Sequence, residues 1–286
     1  MTHVVTAFLR DRGAVLFVRR SDAVGTFRGR WGGVSGYVEG DPGEALGDAL
    51  REIREETGID EADLTLVRRG DPVPVDDEQG SFTVHPFLFD CATRRVRPNE
   101  ELAATEWVQA TAILGRETVP KLWDAYRAVG PTVETVARDR THGSAFVSLR
   151  ALEALRDEAA EAALSAGGDP DTDGDDDGGW ERVAGTARAL RDARPGMTAL
   201  ATRVNRVLHE ADRTPAAVRD RAIAAVDAAV DADERAASEA VRALRSHGDG
   251  APAVLTLSRS GTVADALASL DGRVFVAESV PGGAPS

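Results

Sequence analysis

Up to residue 130 the chain alternates like a sheet protein, with β-rich runs and two helical segments, whereas beyond it helical apolar patterns dominate, and Gly130-Pro131 marks the change. One packed core does not serve both patterns. A chain of 286 residues with such a break reads as two domains, an α+β domain over 1–130 and a second domain over 131–286. In the first, residues 4–10 and 14–19 are β-rich runs joined by Asp11-Arg12-Gly13, which reads as a hairpin. Further strands are expected at 31–38, 64–68, 81–89 and 105–108, with helices at 42–57 and 118–128.

The second half opens with an Ala-rich helix over 144–165, in which Phe146, Leu149, Leu152 and Leu155 fall at three-residue steps. An acidic loop, 167–179, follows. Helical patterns resume at 180–193 and 197–211, and Thr214-Pro215 reads as a cap with proline in the first helical position of a segment ending near Gly248. Two strands are expected at 253–257 and 273–278, around a helical pattern at 262–270. The second domain thus divides into a helical part, 139–248, and a strand–helix–strand part, 252–286, whose two strands make an incomplete sheet.

Acids outnumber bases 48 to 34, for a net charge of −14, and 33 of the 34 bases are arginine. Both halves are acidic. That balance runs against a groove for nucleic-acid phosphates, where lysine and arginine release counterions. The composition also resembles that of salt-adapted cytosolic proteins, whose nucleic-acid binders are themselves acidic, so charge alone does not decide the point. The single cysteine, Cys91, allows no intrachain disulfide and no Cys-rich zinc cluster. No apolar run approaches the ~20 residues of a membrane span, and the first residues lack the basic and apolar regions of a secretory signal. The expected setting is cytoplasmic.

The most informative segment is the helix expected at 42–57. Asp41-Pro42-Gly43-Glu44 has the form of a capping box, and Gly58 supplies the stop. Leu46, Ala49, Leu50 and Ile53 share one stripe, while Glu44, Asp48, Glu52, Glu55 and Glu56 fall on the other side. Glu52, Glu55 and Glu56 are three and four residues apart, a spacing that repels by a few tenths of a kcal/mol per pair unless a cation intervenes. Carboxylate oxygens are the ligands that hard cations prefer. A solvated acidic face is the alternative reading of the spacing alone.

Gly36 and then Arg51-Glu52-Ile53-Arg54-Glu55-Glu56-Thr57-Gly58-Ile59 resemble the second half of the Nudix box, Arg-Glu-apolar-x-Glu-Glu-x-Gly-apolar, at every fixed position. The resemblance implies an α/β/α-sandwich hydrolase over 1–130 that cleaves a nucleoside diphosphate linked to another group with Mg²⁺ or Mn²⁺. It implies that Glu52, Glu55 and Glu56 hold the metal, that the Gly36 region lends a carbonyl, and that Arg51 orients the carboxylates. One departure stands out: fourteen residues separate Gly36 from Arg51 where the family has thirteen, so Asp41 or Glu44 would replace the box's earlier acid. Glu52 is the first choice as general base, with Glu100 and Glu101 behind it. Arg28, Arg30 and Trp31 lie where a phosphate-holding cation and a stacking ring are useful, and read equally as edge charge and a core aromatic. Trp107 reads as core.

In the acidic loop, Asp169, Asp171, Asp173 and Gly174 open like a calcium loop, but Trp180 stands where the bidentate Glu is required, so a solvated loop is expected. From Asp139 onward the chain resembles the initiation factor 2B alpha/beta/delta and ribose 1,5-bisphosphate isomerase family. The resemblance rests on Thr141-His142-Gly143-Ser144-Ala145, Arg194-Pro195-Gly196-Met197, Asn205-Arg206-Val207-Leu208 and the stretch 254–263. It implies a helical part followed by a Rossmann-like part. Ser258, Arg259 and Ser260, between a strand and a helix, are candidate anion ligands. The cysteine that isomerase members use is absent there, so a ligand-binding or regulatory role is expected, with oligomerisation through this domain. A sensor that binds nucleotide or sugar phosphate without turnover, or a translation-related binding protein, is the competing reading of the whole chain.

Overall fold

The protein is described by a computed structural model over residues 2–166, 177–246, 252–257 and 260–277. The chain forms two compact units, Met1–Pro131 and Thr132–Ser286.

The first unit is built on β1 (Thr2–Asp11), which pairs in parallel with β7 (Gly80–Cys91) and antiparallel with β2 (Ala14–Arg20) and β4 (Val34–Tyr37). β2 continues to β3 (Trp31–Gly32) and β8 (Leu102–Val108), and β7 continues to β5 (Leu64–Arg69) and β6 (Val73–Asp77). β1 is buried on both faces. Val5, Ala7 and Leu9 meet Ala45, Ala49 and Ile53 of α1 (Ala45–Thr57). Phe8, pointing the other way, meets Leu122, Ala125 and Tyr126 of α2 (Leu122–Val129), its ring edge-on to Tyr126 at 5.5 Å. Helix, mixed sheet and helix form three layers, an α/β/α sandwich. Each fully buried Leu, Ile or Phe contributes roughly 1.5–3 kcal/mol to holding them together.

Three details differ from the sequence reading. The run at 31–38 divides at Gly33, where a side chain would strike the Ala7 carbonyl at 2.8 Å, so the chain leaves β2 and joins β1. β6 is an addition to the strands read from the sequence, and it carries Pro74. It is an edge strand, paired only with β7, where a missing N–H is tolerated. The capping box also gives way to a 3₁₀ turn, Pro42–Glu44: Asp41 accepts from the Gly43 N–H at 2.8 Å, and α1 opens at Ala45 with no side-chain cap from Glu44.

The second unit is organised on α4 (Ser144–Ala166). Around it lie α3 (Val133–Arg138), α5 (Asp177–Ala193), α6 (Thr198–Glu210) and α7 (Pro215–Arg245). Leu152, Leu155 and Ala159 pack with Val183 and Leu190, Leu200 and Val204, and Val218 and Val226. Being central, α4 also buries Arg150, Glu153, Arg156 and Asp157, which an amphipathic reading places outside. Thr214 caps α7 by accepting from Ala217 N–H, with Pro215 in the first turn, as the sequence reads. Finally β9 (Ala253–Thr256) and β10 (Arg273–Val276) pair in parallel on either side of α8 (Gly261–Ala268). Ala266 of α8 packs with Ala237 and Val241 of α7.

Of the acidic loop, residues 167–176 lie outside the described residues, and with them Asp169, Asp171 and Asp173; Asp177 to Gly179 begin α5. Ser258 and Arg259 also lie outside them. Ser260 precedes α8; its carbonyl accepts from the Ala264 N–H, and its side chain makes no capping hydrogen bond.

Candidate active site

α1 and β4 place the box residues together. Gly36 stands opposite Val5 in the β1–β4 register, and its backbone runs directly against the carboxylate of Glu52. A β-carbon at residue 36 would lie 2.0 Å from Glu52 Cδ and Oε1, so any residue but glycine there would push the Glu52 side chain out of its place. Burial, first of all, pushes the Glu52 carboxyl above the ordinary range. The negative charges of Glu55 and Glu101 add to that, and the Arg51 guanidinium opposes it.

Glu56 corrects the helix reading. It is 2% exposed and belongs to the buried edge of α1 rather than its solvated side. Its carboxylate accepts from the Ser35 backbone N–H, while Oε2 is buried without a partner. Burial, then the charges of Glu52 and Glu101, push its pKa up to about 8 against the pull of Arg20. That environment favours the protonated carboxyl near neutral pH.

Arg51 links the acids. Its Nη1 lies 2.8 Å from Glu52 Oε1 and 3.5 Å from Glu55 Oε2, and its Nη2 lies 3.0 Å from Asp48 Oδ1. The Asp48 hydrogen bond, ahead of the other carboxylates, holds its pKa above the usual value. As the side chains stand, no three His, Cys, Asp or Glu groups among the described residues converge on a common point. The donor set nevertheless suits a hard divalent cation. It offers a half-buried carboxylate against a backbone, a buried oxygen with no protein partner, and the exposed Glu55 one turn away.

Two more charged residues join the cluster from elsewhere in the chain. Glu101 approaches both Glu52 and Glu56, because the loop before β8 is tied down on two sides. Asn99 N–H donates to the Glu56 carbonyl, and Ser21 N–H to the Glu101 carbonyl. Glu100 shares the loop, with its carbonyl held by the Ser21 hydroxyl at 2.6 Å. Arg20, which sequence reasoning did not single out, ends β2 beside Glu56 and donates through Nε to the Thr26 carbonyl. Its only sequence signal is position at a strand end.

Beside Gly36 opens a cleft of about 620 Å³, counted with its mouth, walled by Phe27, Phe82, Tyr37, Thr6 and Arg20 among others. Arg28 and Arg30 do not wall it. They donate to the carbonyls of Val24 and Thr118. Trp31 packs against the α2-side core under the Arg116 guanidinium at 4.4 Å, and Trp107 packs against the α1-side core. In the second unit a separate open cleft of about 970 Å³ lies at the starts of α4 and α6, between Arg140, Ser144, Arg194 and Thr198. Asp139 borders this region, its carboxylate accepting from the Thr141 and His142 N–H groups at 2.9 and 3.0 Å.

Residues 1–130 match the family model described as NUDIX domain, and residues 140–284 match the one described as Initiation factor 2 subunit family. The chain belongs to the initiation factor 2 subunit family and carries a NUDIX domain before it. Among solved structures, the NUDIX domain is similar to a C. elegans Ap4A hydrolase binary complex, at 17% identity over 45% of this chain and 94% of that one, with a TM-score of 0.38. It is similar to a MutT protein from Methanosarcina mazei Go1, at 28% identity over 44% and 90% with a TM-score of 0.37. It is also similar to the NUDIX domain of Shewanella oneidensis NrtR complexed with ADP ribose, at 17% identity over 44% and 84% with a TM-score of 0.36. No curated protein matches the chain. No helix among the described residues is long and apolar enough to cross a membrane.

Proposed function

We propose that the NUDIX domain hydrolyses a nucleoside diphosphate linked to another group, with Mg²⁺ or Mn²⁺ held by Glu52, Glu55 and Glu56 and a carbonyl of the Gly36 region. One observation carries the reading: Glu56, buried and with an unpartnered oxygen, lies beside a Glu52 pressed onto a glycine backbone. The divalent cation, when bound, supplies neutralisation of the diphosphate and activation of the attacking water. Glu52 takes the proton of that water, since its raised pKa brings it nearer the working pH of a general base. Arg51 keeps Glu52 oriented, and Arg20 holds the phosphate end of the substrate from the cleft wall. Glu101 is the second candidate for the base.

The initiation factor 2-like region acts as a regulatory or ligand-binding domain. The Arg140–Arg194 cleft supports that role, and the bare apolar side chains of β9 and β10 support self-association through the same region. The acidic, arginine-rich composition and the lone thiol Cys91 favour a high-salt cytoplasm. A non-catalytic nucleotide or sugar-phosphate sensor is favoured by one feature, the Arg51 guanidinium already bridging Glu52 and Glu55.

Incubation of the full chain with ADP-ribose, dinucleotides and nucleoside triphosphates in high salt separates the two. Cleavage with Mg²⁺ that stops on addition of chelator supports the hydrolase. Binding with no cleavage of any diphosphate supports the sensor.

A further inference from the structure

The cleft beside Gly36 differs in chemistry from the carboxylate cluster it adjoins. Its wall is mainly aromatic and aliphatic, and its polar side chains among the described residues are one guanidinium, Arg20, and hydroxyls. No carboxylate or amide side chain lines it. A hydroxyl is both donor and acceptor and rotates to suit its neighbour, whereas a base edge is told apart by the fixed pattern of a guanidinium, amide or carboxylate; the one guanidinium here, Arg20, already spends its Nε on the Thr26 carbonyl. Two of the hydroxyls are also engaged already. Ser35 Oγ donates to the Gly33 carbonyl at 2.9 Å, which leaves Thr6 to donate its proton to Ser35 Oγ at 3.3 Å. What Thr6 and Ser35 offer a ligand is lone pairs, and each of the four nucleobases carries an N–H that can use one.

The aromatic part of the wall is held with care. Phe27 sits at φ 50°, a backbone conformation that side-chain-bearing residues seldom adopt. It is kept there because its N–H donates to Gln79 Oε1 at 3.0 Å and its carbonyl accepts from Arg30 N–H at 3.2 Å. That strain places its ring 6.0 Å from the ring of Phe82. Strained residues persist where the surroundings over-determine them, and they cluster at active sites, ligand clamps and switch regions.

We propose that this cleft takes the nucleobase of the substrate by shape and ring contact against Phe27, Phe82 and Tyr37, and does not discriminate between bases. The proposal rests on the hydrolase reading only for which end of the substrate lies at Glu52, and its test does not need turnover. Binding of AMP, GMP, CMP and UMP to the full chain is measured by calorimetry in EDTA, with ribose 5-phosphate as the control lacking a base. The four dissociation constants should fall within about fivefold of one another, with ribose 5-phosphate on the order of tenfold weaker or more, the scale of one base–aromatic contact. Tyr37→Ala, at an exposed side chain, and Phe82→Ala should weaken all four alike.

A spread beyond about a hundredfold overturns the proposal, since that is the mark of hydrogen-bonded base reading. So does ribose 5-phosphate binding as tightly as the nucleotides, or binding that neither variant changes. Isopentenyl diphosphate binding more tightly than all four nucleotides would make the cleft a hydrocarbon site, and the proposal falls. If the four bind alike and no nucleoside diphosphate sugar or triphosphate is cleaved with Mg²⁺, the hydrolase reading fails and the base-indifferent cleft stands.

Discussion

β1 and β10 are both apolar strands with a parallel partner, and the two units treat them in opposite ways. β1 lies inside a sheet, with β7 on one side, β2 and β4 on the other, and a helix over each face. Among the described residues β10 has only β9 beside it, and its four residues are all exposed, Val276 to 65%. Across the sheet Leu255 of β9 is 67% exposed. The same kind of sequence gives a core in one unit and a bare surface in the other. What differs is the number of neighbouring strands, which the strand's own residues do not encode. The larger sheet is also the one that presents Gly36 to Glu52, so the candidate cluster belongs to the unit whose strands are covered on both faces.

The largest expected effect follows from that. Glu55→Gln with Glu56→Gln should remove Mg²⁺-dependent cleavage by at least about a hundredfold, the lower end for loss of a positioned acid–base or metal-holding group, with the fold intact by circular dichroism. Full retained activity would sink the assignment. Next, Ile53→Ala should destabilise the first unit by about 2–5 kcal/mol in denaturant unfolding, as a buried residue facing β1, whereas Leu255→Ser should change stability by only about 0.5 kcal/mol. Equal losses would mean that something covers β9 in solution. Gly36→Ala should cost about 1–3 kcal/mol by forcing Glu52 aside, and cleavage should fall with it.

The smallest effect concerns pH. Burial, followed by the charges of His3 and Arg69, holds the His85 pKa below 6.5, so the folded first unit favours neutral imidazole. This contribution is present above pH 6.5 and is lost as pH falls through the folded-state value. In the second unit Asp139 is held below 3.8. Burial opposes that shift, and the hydrogen bonds from the His142 and Thr141 N–H groups outweigh it. Its contribution disappears only below pH 3.8. Thermal unfolding of His85→Leu should therefore depend less on pH than wild type just below 6.5, while Asp139→Asn should differ in pH dependence only in the acid range.

Much of the first unit was legible in the sequence because its signals are local. The β-rich runs gave β1, β2 and β7, and the stripe from Leu46 to Ile53 gave α1 its inward face. Glu52, Glu55 and Glu56 declared themselves by spacing. Their environments did not, since the burial of Glu56 depends on Ser35 and on the loop ending at Glu101, each brought in by pairing across the sheet. Arg20, Phe27 and Phe82 form parts of one site from three distant segments, and no spacing rule connects them. β6 carries Pro74, a residue whose meaning depends on whether a strand lies at an edge. In the second unit the cap at Thr214 was readable, whereas the buried charges of α4 were not, because only the surrounding helices make that helix central.

Arg51 gives the acidic helix a tethered counterion. With a guanidinium lodged among Asp48, Glu52 and Glu55, part of the like-charge repulsion along this face of α1 is offset from within the chain. A divalent ion bound there would compete with that guanidinium for Glu52 and Glu55, while Glu56 Oε2 has no protein partner to give up.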